Sequence, residues 1–223
     1  MYKVFFLSSV SDSVKQKIID VLNKYYFQIQ NVICLSDQEI EILIHYSDTK
    51  ILDGEANMLQ RYLIFHVTED FSVDEFLILL AHELFHIAHY DFFGVRDTSL
   101  DVIVDEGMAV VVENNIRKQF KLQASTQNQL WKKRLNHQEK INLLQKAICD
   151  EAFFDNHWVD LLMNNELHNP DFADNSIYQI GFWLVNEVMC ADTLDFEAIF
   201  VKDKQFWEAK TKETLQKNGL VCK

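Results

Sequence analysis

A five-residue motif in an apolar stretch constrains this 223-residue chain more than any other feature. The motif runs from His82 through Glu83 to His86. Residues four apart lie on one face of a helix, so both imidazoles can point at one zinc ion. Glu83 then lies beside the metal, where its carboxylate can deprotonate a bound water. A hydrolytic zinc site has three protein ligands, and the best candidate for the third is Glu106, twenty positions after His86.

The residues around the motif predict a buried helix. Ser72 and Glu75 form a capping box, which predicts a helix that starts at about Val73. The positions that follow are apolar nearly all round, as is typical of a helix in a protein core. Its strongly polar positions after the cap are His82, Glu83, His86 and His89. Buried polar groups are costly unless something satisfies them, and a metal ion would do so. The alternative is a chance match, with core histidines bonded to backbone.

The motif and the downstream glutamate resemble those of the gluzincin metallopeptidases, of which the thermolysin-like enzymes are one branch. Nineteen residues separate His86 from Glu106. The segment that starts with Glu106 and Gly107 looks more like the aminopeptidase-type branch and the small predicted zinc-dependent proteases. The resemblance implies a zincin-like fold and the chemistry of a zinc metallopeptidase. It implies Zn²⁺ ligation by His82, His86 and Glu106, with Glu83 as the general base.

A second resemblance concerns the group that stabilises the oxyanion. Tyr178 precedes Gly181 by three residues at a predicted helix start. This arrangement resembles the place where aminopeptidase-type gluzincins hold an oxyanion-stabilising tyrosine, which implies a catalytic role for Tyr178. A core tyrosine beside a packing glycine is the alternative. His157 and His168 are further candidates for the same role.

Two other acids and one histidine near the motif each have more than one possible role. Asp105 could itself be the third ligand, or it could hydrogen-bond a ligand histidine. Glu113 lies seven residues after Glu106 on the same helical face and could support a ligand histidine in the same way. For each acid, a solvated carboxylate is the alternative. His89 could be a fourth site group or an ordinary rim or core histidine.

The first seventy residues predict a small sheet. We expect a helix from Ser11 or Asp12 to about Phe27 and strands over residues 2–7, 40–46 and 61–67. The strand at 61–67 either borders the site and pairs with extended peptide, or lies inside the sheet. Asp53 and Gly54 predict a turn.

Residues 54–58 are similar in composition to the substrate-binding loop of aminopeptidase-type gluzincins, but we interpret them as a surface turn. Beyond Val73 the chain is predicted to be helical almost to its end, and Thr98 with Asp101 can cap the helix that carries Glu106. The fold class is therefore α+β. A small mixed sheet lies in the N-terminal part, residues 1–72, and a mainly helical lobe follows in residues 73–223, all in one compact unit.

The composition of the chain indicates which classes of partner and which cellular compartment to expect. The net charge of -13 argues against nucleic acid, because a phosphate backbone requires lysine and arginine. No stretch has the length of a membrane span, and the N-terminal apolar run is too short for a signal peptide. The scattered cysteines indicate reduced thiols in a cytoplasmic protein; they are Cys34, Cys149, Cys190 and Cys222.

These patterns favour zinc-dependent peptide-bond hydrolysis, with Glu83 as the base and a peptide or protein as the substrate. We expect neither nucleic acid nor a membrane as a partner. Two alternatives remain open. The chain could be a zinc-binding protein without peptidase activity, or a metal-free helical interaction module whose buried histidines belong to the core.

Overall fold

A computed structural model describes residues 1–7, 10–48, 52–95, 98–126, 134–149 and 176–220. The strands are β1 (Tyr2–Phe6), β2 (Ile40–Tyr46), β3 (Asp53–Asn57) and β4 (Tyr62–Val67). The helices of these ranges are α1 (Asp12–Val32), α2 (Val73–Phe93), α3 (Ser99–Phe120), α4 (His137–Cys149), α5 (Ser176–Asp192), α6 (Phe196–Phe200) and α7 (Lys204–Lys217). A small sheet thus precedes a mostly helical remainder, which confirms the predicted α+β class.

The four strands form one mixed sheet in the order β1-β2-β4-β3. Strand β2 pairs in parallel with β1 and with β4, and β3 pairs antiparallel with β4. Strand β4 is the strand predicted at 61–67, and it hydrogen-bonds to a neighbour on each side. It therefore lies inside the sheet, and the alternative in which it pairs with substrate is wrong.

The turn predicted at Asp53 and Gly54 is also wrong, and so is the surface turn predicted over residues 54–58 except at Met58, because strand β3 covers Asp53–Asn57 and the turn begins only after it. Gly54 lies opposite Phe65 in the antiparallel pair. A Cβ on Gly54 would lie 2.9 Å from the Phe65 ring and 3.2 Å from the Leu79 side chain of α2. The glycine therefore allows a close approach of the strand to its neighbours rather than a reversal of the chain.

Helices α1 and α2 pack on one face of the sheet. The ring centroids of Tyr2 in β1 and Tyr26 in α1 are 4.5 Å apart, and those of Phe65 in β4 and Phe76 in α2 are 5.1 Å apart. The fully buried residues of this face are Ile40, Ile42, Ile44, Leu63, Phe65 and Val67. The opposite face of the sheet is exposed or half-buried along all four strands.

The starts of α1 and α2 follow the predicted caps. The Val14 amide donates to Ser11 Oγ at 3.3 Å, and the Glu75 amide donates to Ser72 Oγ at 3.4 Å. Helix α1 ends at Val32 rather than near Phe27. The extension continues the buried face of the helix through Ile29, so tertiary packing determines where it ends.

The chain groups into two compact units, Met1–Asp91 with Val112–Thr126 and Phe92–Val111 with Gln127–Lys223. The first unit holds the sheet, α1 and all of α2 except its last two residues, the second holds α4 to α7, and α3 contributes to both. The predicted division into residues 1–72 and 73–223 stays a prediction. Within the described ranges, none of the helices combines the length and apolar composition that a membrane span requires.

Candidate metal centre

Helix α2 carries a line of buried polar residues. His82, Glu83, His86 and His89 are each exposed by only 3% to 6%. Their neighbours on the helix are apolar and buried as well, and Phe76 packs on the sheet. Water therefore has little access to these four side chains, and they must be satisfied by other groups.

Helix α3 supplies buried carboxylates. It begins with the predicted cap, since the Asp101 amide donates to Thr98 Oγ1 at 3.1 Å and the Thr98 amide donates to Asp101 Oδ2 at 3.0 Å. Lys204 Nζ lies 2.9 Å from the same Asp101 oxygen, which adds an ion pair to the cap. The buried acids that follow are Asp105, Glu106 and Glu113, each exposed by 2% or less.

The residues of α2 and α3 form a group that could hold a metal ion. One ligand atom each from His82, His86 and Glu106 lies within 4.8 Å of the others. The two imidazole centroids are 4.8 Å apart and their planes are inclined by 79°, as expected for residues one helical turn apart. Among the described residues, the group contains Glu106 and not the alternative ligand Asp105.

The donor set fits a metal of the zinc class. Two imidazoles and one carboxylate are ligands that catalytic zinc uses, with a fourth position left for water or substrate. Ligand atoms around a tetrahedral zinc are roughly 3.3 Å apart for bond lengths of about 2.0–2.1 Å. The ligand atoms of the group lie at most 4.8 Å apart. Rotation of the three side chains would therefore bring these atoms to the distances that zinc requires.

Glu113 contacts a ring nitrogen of one of these histidines. His82 Nδ1 and Glu113 Oε1 are 2.7 Å apart, and both side chains are almost fully buried. A carboxylate at Nδ1 fixes the proton there, so that Nε2 of the imidazole keeps a lone pair for a metal. The contact is the one expected if Glu113 supports a ligand histidine.

The fold has a counterpart among solved structures. The chain is similar to an aminopeptidase N family protein from Idiomarina loihiensis. The TM-score is 0.52 at 11% sequence identity, so the likeness concerns the fold alone. It covers 96% of this chain but only 40% of that protein, so this chain spans less than half the length of its neighbour. No family model and no curated protein matches the sequence.

The remaining predicted site residues have the following places. Glu83 is buried on α2 between the two histidines, and Tyr178 is half-buried in the first turn of α5. The ring of His89 stacks on Phe85, with centroids 5.1 Å apart and planes inclined by 20°. This stacking is the behaviour of a core histidine. The other oxyanion candidates, His157 and His168, lie outside the described residues. Catalytic roles for Glu83 and Tyr178 stay predictions.

Two glycines bring α3 and α5 into backbone contact. A Cβ on Gly107 would lie 2.1 Å from the Gly181 carbonyl carbon, and a Cβ on Gly181 would lie 2.0 Å from the Ile103 carbonyl oxygen. No side chain fits at this crossing. Because Gly107 follows Glu106 directly, the crossing fixes the part of α3 that bears the third member of the group.

Proposed function

We propose that the chain is a metal-dependent peptidase. The observation that carries the proposal is the buried group of His82, His86 and Glu106, whose ligand atoms lie within 4.8 Å of one another. Two imidazoles and one carboxylate that lie this close together, shielded from bulk water, are a donor set that a divalent cation binds. The fold likeness to an aminopeptidase N family protein supports peptide hydrolysis as the reaction class.

His82, His86 and Glu106 would hold a zinc ion. When bound, the metal acts as a Lewis acid that polarises a carbonyl and lowers the pKa of water towards neutrality. Glu113 keeps the His82 imidazole in the tautomer and orientation that ligation requires, through the 2.7 Å contact at Nδ1.

Glu83 acts as the general base and then as the general acid. Its carboxylate is only 6% exposed and follows His82 directly on α2. It accepts a proton from the attacking water and delivers that proton to the amine that leaves.

Tyr178 stabilises the oxyanion. Tyr178 is half-buried at the start of α5, so solutes can reach it. A hydroxyl donor aimed at the developing negative charge lowers the barrier in acyl transfer. The crossing of Gly107 and Gly181 restricts where this first turn of α5 can lie relative to Glu106.

An extended peptide substrate pairs with β3. Strand β3 is at one end of the sheet and, among the described strands, hydrogen-bonds only to β4. Backbone pairing at such an edge supplies affinity without regard to side-chain identity. The pairing with extended peptide that was first expected of the strand at 61–67 is therefore proposed for Asp53–Asn57, whose Gly54 contacts α2.

The experiment that tests this proposal compares Glu83→Gln with Glu75→Gln. Both substitutions remove one carboxylate from α2, but Glu75 is exposed at the start of the helix. Zinc content by elemental analysis, the thermal midpoint and cleavage of a peptide library are measured on wild type and both variants. We expect Glu83→Gln to keep its zinc and lose activity by about 10²–10⁴-fold. Glu75→Gln should match wild type in all three measurements.

Three outcomes would contradict the proposal in different ways. Full cleavage by Glu83→Gln would remove this residue from the mechanism. Zinc binding by wild type without any cleavage would instead leave a zinc-binding protein that is not a peptidase, and absence of zinc after metal-replete growth would refute the metal centre itself.

A further inference from the structure

The sheet face that does not carry α1 and α2 presents two neighbouring histidines. Side chains alternate between the two faces of a strand. Because Ile44 of β2 and Phe65 of β4 are buried on the helix side, the next residues, His45 and His66, lie on the opposite face. Both histidines are half-buried there, so solutes can reach them.

The strand register places these two histidines directly beside each other. His45 and His66 are partners in the parallel β2–β4 pair. Their ring centroids are 5.3 Å apart and the planes are inclined by only 31°. Rings with this separation can turn their nitrogens towards one ion with little change in backbone position. The rigid central strands would hold the pair ready for such an ion.

A carboxylate continues the same row. Asp53 is the partner of His66 in the antiparallel β3–β4 pair, so three adjacent strands present histidine, histidine and aspartate in line. The Asp53 Oδ1 accepts a hydrogen bond from the Gly54 amide at 2.9 Å, which fixes the carboxylate at its own strand. Its negative charge lowers the electrostatic energy of a cation bound at the neighbouring imidazoles.

We propose that His45 and His66 form a second, surface binding site for a divalent transition metal, such as Zn²⁺ or Cu²⁺, with Asp53 as the neighbouring negative charge. Imidazole is a preferred ligand for zinc, copper and nickel, and waters complete the coordination. The site is separate from the buried group, since none of its residues lies on α2 or α3. A two-histidine site that solutes can reach exchanges its metal more readily than an enclosed site with three protein ligands, so it suits reversible metal binding rather than catalysis.

The first test counts metal equivalents. Metal-stripped wild type, His66→Asn and His137→Asn are titrated with Zn²⁺ by isothermal titration calorimetry. His137 is an exposed histidine at the start of α4 and serves as the matched control. We expect two equivalents for wild type and His137→Asn, and the loss of one for His66→Asn. The thermal midpoint and peptide cleavage of His66→Asn should equal those of wild type.

A second test identifies the ligands without the buried centre. The His86→Ala variant is titrated with Cu²⁺ and followed by electron paramagnetic resonance. We expect one bound ion with two nitrogen ligands, and loss of that signal when His66→Asn is added. His137→Asn in the same background should keep the signal.

The outcomes separate this inference from the proposed function. If wild type binds a single Zn²⁺ that His66→Asn loses, the surface site stands and the buried centre fails. If His66→Asn binds as many ions as wild type with the same affinity, the surface site is refuted. A Cu²⁺ signal with a single nitrogen ligand in the His86→Ala variant would refute the pairing of His45 with His66.

Discussion

Replacing Glu113 with glutamine should weaken metal binding without removing the centre. Glu113 and His82 are in contact at 2.7 Å, exposed by 2% and 5%. Glutamine keeps the length of the side chain and an oxygen that can accept from Nδ1, but it removes the negative charge. Changes to such supporting carboxylates typically cost about 10–100-fold in metal affinity. This range corresponds to about 1.4–2.8 kcal/mol of binding free energy.

The assay for Glu113→Gln is a competition between protein and a zinc chelator of known affinity. Glu106→Gln and the exposed Glu75→Gln are measured beside it. If Glu106 is a ligand, its variant should lose more affinity than Glu113→Gln, whereas Glu75→Gln should bind zinc as wild type does. Circular dichroism of the metal-free proteins establishes that all three variants fold.

Two results would refute the supporting role of Glu113. Zinc affinity unchanged within the error of the competition would mean that the buried contact does not tune His82. A loss larger than that of Glu106→Gln would make Glu113 a ligand in its place. The assignment of Glu106 as the third ligand would then be wrong.

Two further predictions concern stability. Gly181→Ala should lower the free energy of unfolding by at least about 1 kcal/mol, because the added Cβ would lie 2.0 Å from the Ile103 carbonyl oxygen. In a chain of this size the thermal midpoint should fall by about 2–4 °C per kcal/mol, and an unchanged midpoint would contradict the close crossing of α3 and α5. Burial raises the pKa of Tyr26 from 10.0 to about 12. The unfolded chain therefore loses this proton first as pH rises above about 10, and the free energy of unfolding falls by up to about 1.4 kcal/mol per pH unit until the folded pKa is reached. Urea denaturation at about pH 9 and about pH 11 measures how far the free energy of unfolding falls between these two pH values. This fall should be smaller for Tyr26→Phe than for wild type, and equal falls would contradict the raised pKa.

The elements with strong local signals are predictable from the sequence alone. The cap of α2 at Ser72, the cap of α3 at Thr98 and the strand Ile40–Tyr46 follow from side chains that act on their immediate neighbours. The spacing of His82 and His86 depends only on helix geometry. The α+β class follows in the same way, since each element has its own periodicity.

Tertiary structure decided what depends on residues distant in sequence. The register that makes β4 an internal strand and aligns His45 with His66 is set by pairing between strands, and no local pattern encodes it. Gly54 gives the local signal of a turn, but the hairpin with β4 and the contact with Leu79 outweigh that preference. Glu106 joins the two histidines, and Glu113 reaches His82, because α2 and α3 bring together groups that are twenty or more residues apart. The sequence by itself determined which side chains could take part, whereas burial and long-range packing decided which of them meet.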